Sequence, residues 1–163
     1  MKTLPRITTI LYASDLGEHT RPVFRQAIAH ARAHNANIIM LHVVEPLTET
    51  AKAVISAYMP EMPLDTIQQS GMKDVLDHMK GRLQKFYKDE CEEHEKDFIP
   101  VHDIAVVAGR PSEEILTAAD HYKVDMIVMG QSARKIMGST VMGSAARRVS
   151  RMAKVPVLIV PNV

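Results

Sequence analysis

One stretch decides the fold of this chain: Met126-Ile-Val-Met-Gly130-Gln-Ser-Ala133-Arg-Lys-Ile-Met-Gly138-Ser-Thr-Val-Met-Gly143-Ser144-Ala-Ala-Arg-Arg-Val149. A short apolar run ends in glycine, a polar loop follows, and a second glycine with a serine opens a segment of helical spacing. The pattern predicts a strand, a loop and a helix whose N-terminal amides can receive an anion. Glycine permits positive φ and close approach of a ligand, so we expect this freedom at Gly130, Gly138 and Gly143. A connection that binds nothing is the alternative.

Two phosphate-binding motifs can be excluded for this loop. Gly138 and Gly143 have the glycine spacing of a P-loop, but Ser144 and Ala145 stand where that motif needs lysine and a hydroxyl residue. The dinucleotide fingerprint needs three glycines within six residues after the first strand, whereas this loop lies late in the chain with wider spacing. A phosphate site here must therefore be of another kind.

The stretch resembles the signature loop of the universal stress protein family, Gly-x2-Gly-x9-Gly-Ser/Thr, which wraps the ribose and phosphates of ATP in nucleotide-binding members. Gly130, Gly143 and Ser144 match in register, and Ala133 replaces the second glycine. If that position needs positive φ, alanine is strained there, and its methyl group can crowd a phosphate. The resemblance implies ATP binding. The alternative is a nucleotide-free dimeric stress or scaffold protein whose site Ala133 has impaired.

Composition limits the other classes of function. A length of 163 residues fits one domain over 1–163, and a net charge of +1 gives no broad attraction to nucleic acid or an anionic membrane. No apolar run approaches the roughly 20 residues that span a bilayer, and no signal-peptide pattern is present. Cys91 is the only cysteine, which excludes an internal disulfide and a multi-cysteine zinc site. We expect a cytoplasmic protein.

Strand and helix patterns alternate five times, which predicts an α/β fold with a doubly wound, five-stranded parallel sheet of Rossmann-like type. The predicted strands are 9–13, 37–44, 100–107, 126–129 and 155–160. The predicted helices are 20–35, with Thr20 as the cap, about 66–97, one that begins with Pro111, and one from 144. Between them, 46–65 holds three prolines and is predicted to be a loop or lid insertion with one or two helical turns at 51–58.

The resemblance extends over nearly the whole chain apart from this insertion. Its further motifs are Ile10-Leu-Tyr-Ala-Ser-Asp15, Leu41-His-Val43, Gly109-Arg-Pro-Ser-Glu-Glu-Ile115 and Val155-Pro-Val-Leu-Ile-Val160. It implies an adenine nucleotide alpha hydrolase-like sheet with strand order 3-2-1-4-5. That order places strands one and four side by side and brings the Asp15 loop to the Gly130 loop.

The resemblance also implies a set of nucleotide-binding residues. They are Ala13, Ser14, Asp15, Val43, Met129, Gly130, Ser132, Ala133, Arg134, Gly143, Ser144, Ala145 and Ala146. Val43 would offer main-chain groups to the adenine edge, and the amides that begin the last helix would meet the outer phosphates, with magnesium accompanying ATP. Asp15 either contacts the nucleotide or a metal, or hydrogen-bonds its own loop amides. Arg134 either screens phosphate or is a solvent-facing charge.

No catalytic or metal-binding cluster is recognisable from spacing. His42, inside strand two, is predicted to be a structural hydrogen-bonding residue rather than a general base. We therefore expect that the protein is not an enzyme, or at most that it hydrolyses ATP slowly or phosphorylates itself at a hydroxyl such as that of Ser144. The apolar strand 155–160 at a sheet edge predicts a homodimer, because an open edge invites pairing. A protein partner is expected, and its identity is unknown.

Overall fold

A computed structural model describes residues 3–17, 20–93, 99–131 and 141–161. Its centre is a five-stranded sheet of order β3-β2-β1-β4-β5, in which every neighbouring pair is parallel. The strands are β1 (Thr9–Ser14), β2 (Asn37–Val44), β3 (Val101–Ala108), β4 (Met126–Gly130) and β5 (Val157–Val160). The predicted fold class and strand order are confirmed.

Helices cover both faces of this sheet. They are α1 (Thr20–His34), α2 (Glu49–Tyr58), α3 (Leu64–Glu93), α4 (Pro111–His121) and α5 (Ser144–Met152). Along β1, Ile10 and Tyr12 belong to a core that includes residues of α1 and α3, whereas Leu11 belongs to a second core with residues of α4 and α5. The near-continuous apolar runs of the central strands follow from this burial on both faces.

The order of the strands reverses between β1 and β4. From β1 the chain moves outward through β2 to β3, and it then returns to place β4 on the other side of β1. In open α/β sheets, the crevice at the carboxyl ends of such strands is where ligands bind. The topology therefore predicts a ligand site where the carboxyl ends of β1 and β4 lie side by side.

A carboxylate links the opposite, amino-terminal ends of the same two strands. Asp125, just before β4, accepts hydrogen bonds from the Thr8 backbone and hydroxyl at 2.8 Å each and from the Thr9 backbone at 3.1 Å. Partial burial raises the pKa of this carboxyl, but these hydrogen bonds outweigh the burial and hold the pKa below its usual range. The bonds tie β4 to the start of β1.

Several predicted boundaries differ from those observed. The last strand begins at Val157 rather than at 155, because Pro156 has no N–H for the ladder; its carbonyl accepts from the Ile127 N–H at 2.9 Å. Thr20 is the first residue of α1 rather than its cap. Residues 49–58 form one helix, α2, which is more helix than predicted. Pro111 opens α4 as predicted.

The end of α3 is fastened to the start of α1. The Glu90 side chain is fully buried, and its Oε1 lies 3.1 Å from Nε of Arg21. The Arg21 side chain is half exposed, and its Nη1 lies 2.7 Å from Glu93 Oε1.

None of the helices in the described ranges is long and apolar enough to cross a membrane.

Candidate nucleotide site

The carboxyl ends of β1 and β4 lie side by side, as the strand order requires. Ala13 and Met129 are partners in the parallel ladder, so Asp15, which follows β1, and Gly130, which ends β4, lie at the carboxyl ends of neighbouring strands. Met129 is buried, and Ala13 packs against the core shared with α4 and α5. These two residues therefore form the floor of the crevice rather than a polar surface.

The turn after β1 is held by its own side chains. Asp15 Oδ1 accepts a hydrogen bond from the Gly17 N–H at 2.8 Å, and Ser14 Oγ accepts from the Leu16 N–H at 3.1 Å. Leu16 has a φ of 55°, in the left-handed region that side-chain-bearing residues rarely adopt. The loop-bonding role that was one alternative for Asp15 is thus observed. Its carboxylate is exposed and is accessible to a ligand.

The loop between β4 and α5 is closed at its base. The Gln131 N–H donates to the Val160 carbonyl at 2.9 Å, and the Gly143 N–H donates to the Gln131 carbonyl at 2.8 Å. The two ends of the loop therefore meet at the end of β4. Ser132, Ala133 and Arg134 lie outside the described residues, and so does Gly138, so the predictions about them remain predictions.

The amino terminus of α5 offers uncapped amides to this edge. Gly143 is the N-cap residue with φ −60° and ψ 157°, and it has no side chain to cap the N–H groups of Ser144, Ala145 and Ala146. The Ala146 side chain is buried in the core, so only its main chain can face a ligand. The first turns of α2 and α4 carry glutamates, whereas that of α5 carries no acidic residue. Within the first turn of α5, therefore, no carboxylate competes with an anion for the positive end of the helix dipole.

The two loop glycines that the structure describes do not use the positive φ that glycine permits. Gly143 is extended, and only Gly109 has a positive φ among the glycines in the described part of the chain. Gly130 instead continues β4, where Val160 is its ladder partner. A Cβ placed there would lie 3.4 Å from Cγ2 of Val23, an ordinary van der Waals contact, so the fold itself does not require glycine at this position.

Strand β2 contributes His42 and Val43 to the same carboxyl end of the sheet. The β1–β2 ladder ends at the Ser14–His42 pair, so Val43 lies one residue beyond it, where its backbone borders the crevice. His42 is 8% exposed, and its Nδ1 lies 2.8 Å from the Ser14 carbonyl oxygen. The structural role predicted for His42 is confirmed. Sequence analysis did not identify its partner, which lies 28 positions away.

The sign of the local charge suits an anion. The chain has no Asp or Glu after Asp125, and four cations lie between 141 and 161. These cations are Arg147, Arg148, Arg151 and Lys154. Arg147 donates from Nη2 to the Met142 carbonyl at 3.3 Å, beside the start of α5. Arg148 lies 3.6 Å from Glu113, and Lys154 lies 3.5 Å from Asp120 beyond the far end of α5, so Arg147 is the cation that lies beside the proposed anion position.

Other parts of the described chain offer weaker sites. No group of three or more His, Cys, Asp or Glu residues within the described ranges could hold a metal ion. An open cavity of about 250 Å³ is lined by Leu116, Ile127, Met152 and Val155 among others, at the amino ends of β4 and β5. It lies at the opposite edge of the sheet from the switch-point crevice.

Comparison with known proteins gives the family context. The profile of the Universal stress protein family matches residues 6–161. A universal stress protein of Thermus aquaticus is 32% identical over 152 residues, which cover 93% of this chain and 97% of that protein. The universal stress protein MJ0577 of Methanocaldococcus jannaschii is 26% identical over 155 residues, which cover 93% of each.

Solved structures share the fold at lower identity. The structure of MJ0577 superimposes with a TM-score of 0.71 at 22% identity, covering 98% of this chain and 99% of that one. A universal stress protein in complex with cAMP gives a TM-score of 0.60 at 18% identity, with 96% and 98% covered. One from Archaeoglobus fulgidus in complex with dAMP gives 0.51 at 18% identity, again with 96% and 98% covered.

Proposed function

This chain belongs to the universal stress protein family, and we propose that it binds an adenine nucleotide, ATP with magnesium, as a regulatory or sensing ligand. In this proposal, nucleotide occupancy alters a dimer or partner surface. We place this activity in the cytoplasm, where ATP and magnesium are both available and where the thiol of Cys91 stays reduced.

One observation carries the proposal: a preformed turn, a closed loop base and an uncapped helix terminus meet at the switch point. Asp15 follows β1 and Gly130 ends β4, and these two strands are neighbours. The Gly143–Gln131 hydrogen bond returns the chain to the same edge before α5 begins. Two structural neighbours were solved with cAMP and with dAMP, both adenine nucleotides, which supports the choice of ligand.

The proposed contacts follow from where each group lies. The main chain of Val43 would meet the adenine edge, and Gly130, with no side chain, would allow the ribose and first phosphates to approach. The amides of Ser144, Ala145 and Ala146 would receive the outer phosphates, because helix N-termini favour negative charge. Magnesium needs only one or two protein oxygens, which the exposed Asp15 carboxylate fits, and it takes the rest from phosphate and water.

Titration calorimetry with ATP and magnesium tests this proposal directly. We expect a dissociation constant below about 1 mM, equivalent to more than about 4 kcal/mol of binding free energy. GTP under the same conditions is the control for the base. A constant weaker than millimolar for ATP, ADP, AMP and cAMP alike would refute the proposal.

The second candidate function is that of a nucleotide-free dimeric stress or scaffold protein. It is favoured by Ala133, which stands where the family's loop motif has glycine. Substitution of Ala133→Gly separates the two candidates. A large gain in ATP affinity from an undetectable starting value would show that alanine had closed the site, whereas measurable binding by the unaltered protein supports the first.

The proposed dimer uses the 155–160 segment, and the two edges of the sheet differ in a way that supports it. Strand β5 is entirely apolar and pairs only with β4 among the described strands. On the other edge strand, β3, Asp103 Oδ1 accepts from the Ile104 N–H at 2.8 Å, and an exposed charge of this kind discourages pairing. Light scattering at micromolar concentration should report a dimer, and a monomer alone would contradict this part.

Slow ATP hydrolysis or autophosphorylation is not part of the main proposal. Neither sequence nor geometry identifies a general base within the described residues, and the exposed Ser144 is a possible acceptor only by position. Incubation with ATP followed by mass spectrometry decides this point. Absence of added phosphate and of released ADP is the expected result.

A further inference from the structure

We propose that His42 positions the turn after β1 for nucleotide binding by donating a hydrogen bond from Nδ1 to the Ser14 carbonyl. This inference rests on the proposed function, because it assigns a supporting residue to the same site. His42 does not itself need to touch the ligand. It acts through Ser14, the residue at which β1 ends and the turn begins.

The geometry fixes the direction of the hydrogen bond. A carbonyl oxygen only accepts, so at a separation of 2.8 Å the hydrogen is on His42 Nδ1. The ring is 8% exposed, in a strand whose preceding residues, Ile38 to Leu41, are all apolar and buried. An aliphatic residue would satisfy the packing at this position. The imidazole instead adds a buried hydrogen-bond donor. Its acceptor is the carbonyl of Ser14 on the neighbouring strand β1, the residue just before Asp15.

The turn that this bond reaches is under conformational strain. Leu16 has a φ of 55°, and a non-glycine residue holds such a conformation only where its surroundings determine it. The Ser14 hydroxyl accepts the Leu16 N–H, and Asp15 accepts the Gly17 N–H. Displacement of Ser14 would therefore move the acceptor on which the strained residue depends, and the Asp15 carboxylate with it.

Two other hydrogen bonds hold the far end of the turn, where α1 begins. The buried Tyr12 hydroxyl donates to the Thr20 carbonyl at 3.1 Å, and the Thr20 hydroxyl donates to the Gly17 carbonyl at 2.6 Å. These contacts fix where α1 begins, and neither of them involves the Ser14 carbonyl. Among the side chains of the described residues, His42 provides the hydrogen bond to the Ser14 carbonyl.

Two amide substitutions separate positioning from general packing. In His42→Asn the amide nitrogen takes about the place of Nδ1 and keeps a donor for Ser14. In His42→Gln the amide nitrogen lies one bond further out, near the place of Nε2, and the donor to Ser14 is lost. His42→Leu removes all polarity. The three variants thus retain, misplace or delete the same donor.

The experiment measures ATP affinity with magnesium by calorimetry and amide hydrogen exchange of Leu16 and Gly17 without ligand. We expect His42→Asn to stay within about threefold of the unaltered protein in both. We expect His42→Gln and His42→Leu to bind about tenfold more weakly, equivalent to about 1.4 kcal/mol, and to exchange these amides at least tenfold faster. Exchange in β3 and α4 serves as the control for global stability.

Each outcome decides the proposal. If His42→Gln keeps full affinity and protection, or if His42→Asn loses as much as His42→Leu, the positioning role is wrong. If the unaltered protein binds no adenine nucleotide, the proposed function fails, and the exchange of Leu16 and Gly17 still decides whether His42 holds the turn. If His42→Leu does not fold, the Asn and Gln variants carry the comparison.

Discussion

Substitution of Gly130→Ala should preserve the fold and weaken nucleotide binding. A Cβ at this position would lie 3.4 Å from Cγ2 of Val23, an ordinary van der Waals contact, and it meets no closer atom. The Gly130 backbone is not in the left-handed region, so alanine is compatible with it. Replacement of glycine at such a position usually stabilises by about 0.4–1 kcal/mol, because the unfolded chain loses freedom.

The expected effect on the ligand has the opposite sign. Gly130 ends β4 at the switch point, where the proposed ribose and first phosphates approach the backbone. An added methyl group in a filled contact costs about 1–3 kcal/mol. We therefore expect ATP to bind at least about tenfold more weakly, since tenfold corresponds to about 1.4 kcal/mol. Calorimetric titration with magnesium and urea denaturation measure the two effects separately.

A second glycine provides the matched control. Gly81 lies on the exposed part of α3, and a Cβ there would have no atom within 4 Å. Gly81→Ala should stabilise the protein by about 0.5–1 kcal/mol, because glycine is unfavourable within a helix, and it should leave ATP affinity unchanged. If Gly130→Ala binds ATP as tightly as Gly81→Ala does, the nucleotide does not approach Gly130 and the proposed pose is wrong.

Three further predictions concern stability. Gly109→Ala should cost about 2–3 kcal/mol in urea denaturation, because φ is 155° and a Cβ would lie 2.6 Å from Cγ of Glu114; a loss below about 0.5 kcal/mol would show that the turn relaxes freely. Asp125 has a pKa lowered from its ordinary 3.8, so its stabilisation is complete above that pH and is lost as pH falls through the folded pKa. Asp125→Asn should therefore melt at a lower temperature at pH 7, and its difference from the unaltered protein should shrink as the pH falls below 3.8; a difference that does not change with pH would contradict this. Glu90→Leu should leave stability unchanged or raise it by up to about 2 kcal/mol, because Arg21 and Arg25, both about half exposed, keep their contacts with Glu93 while a buried carboxylate disappears; a loss above about 2 kcal/mol would refute that reasoning.

The fold could be predicted because its central strands are buried on both faces. Ile10 to Tyr12 and Ile38 to Leu41 have almost no exposed surface, so their sequences are continuous apolar runs. Strand order came from family resemblance, since alternation of strands and helices fixes no order. The boundary at Pro156 was misplaced because apolar character continues through the proline, whereas the hydrogen-bond ladder does not. Apolar patterning reports burial, and it reports hydrogen bonding only indirectly.

The site was predicted less completely, for a related reason. Placement of Asp15 and Gly130 at neighbouring strand ends follows from topology, and the structure confirms it. The bond between His42 and Ser14 depends on the register of β1 against β2, which sequence spacing does not contain. The φ of Gly143 could not be predicted, because glycine permits left-handed conformations but does not require them.

The frame of the site is common to both candidate functions, so the choice between them depends on the energy of alanine at position 133. A left-handed conformation costs a non-glycine residue about 1–2 kcal/mol. If the loop adopts that conformation only with the ligand, the cost reduces affinity by about five- to thirtyfold, which weakens a micromolar site without abolishing it. If the free protein already holds it, the cost falls on folding instead, and Ala133→Gly should raise stability rather than affinity. A nucleotide-free function therefore requires more than backbone strain: the Ala133 methyl group would have to overlap the phosphate itself.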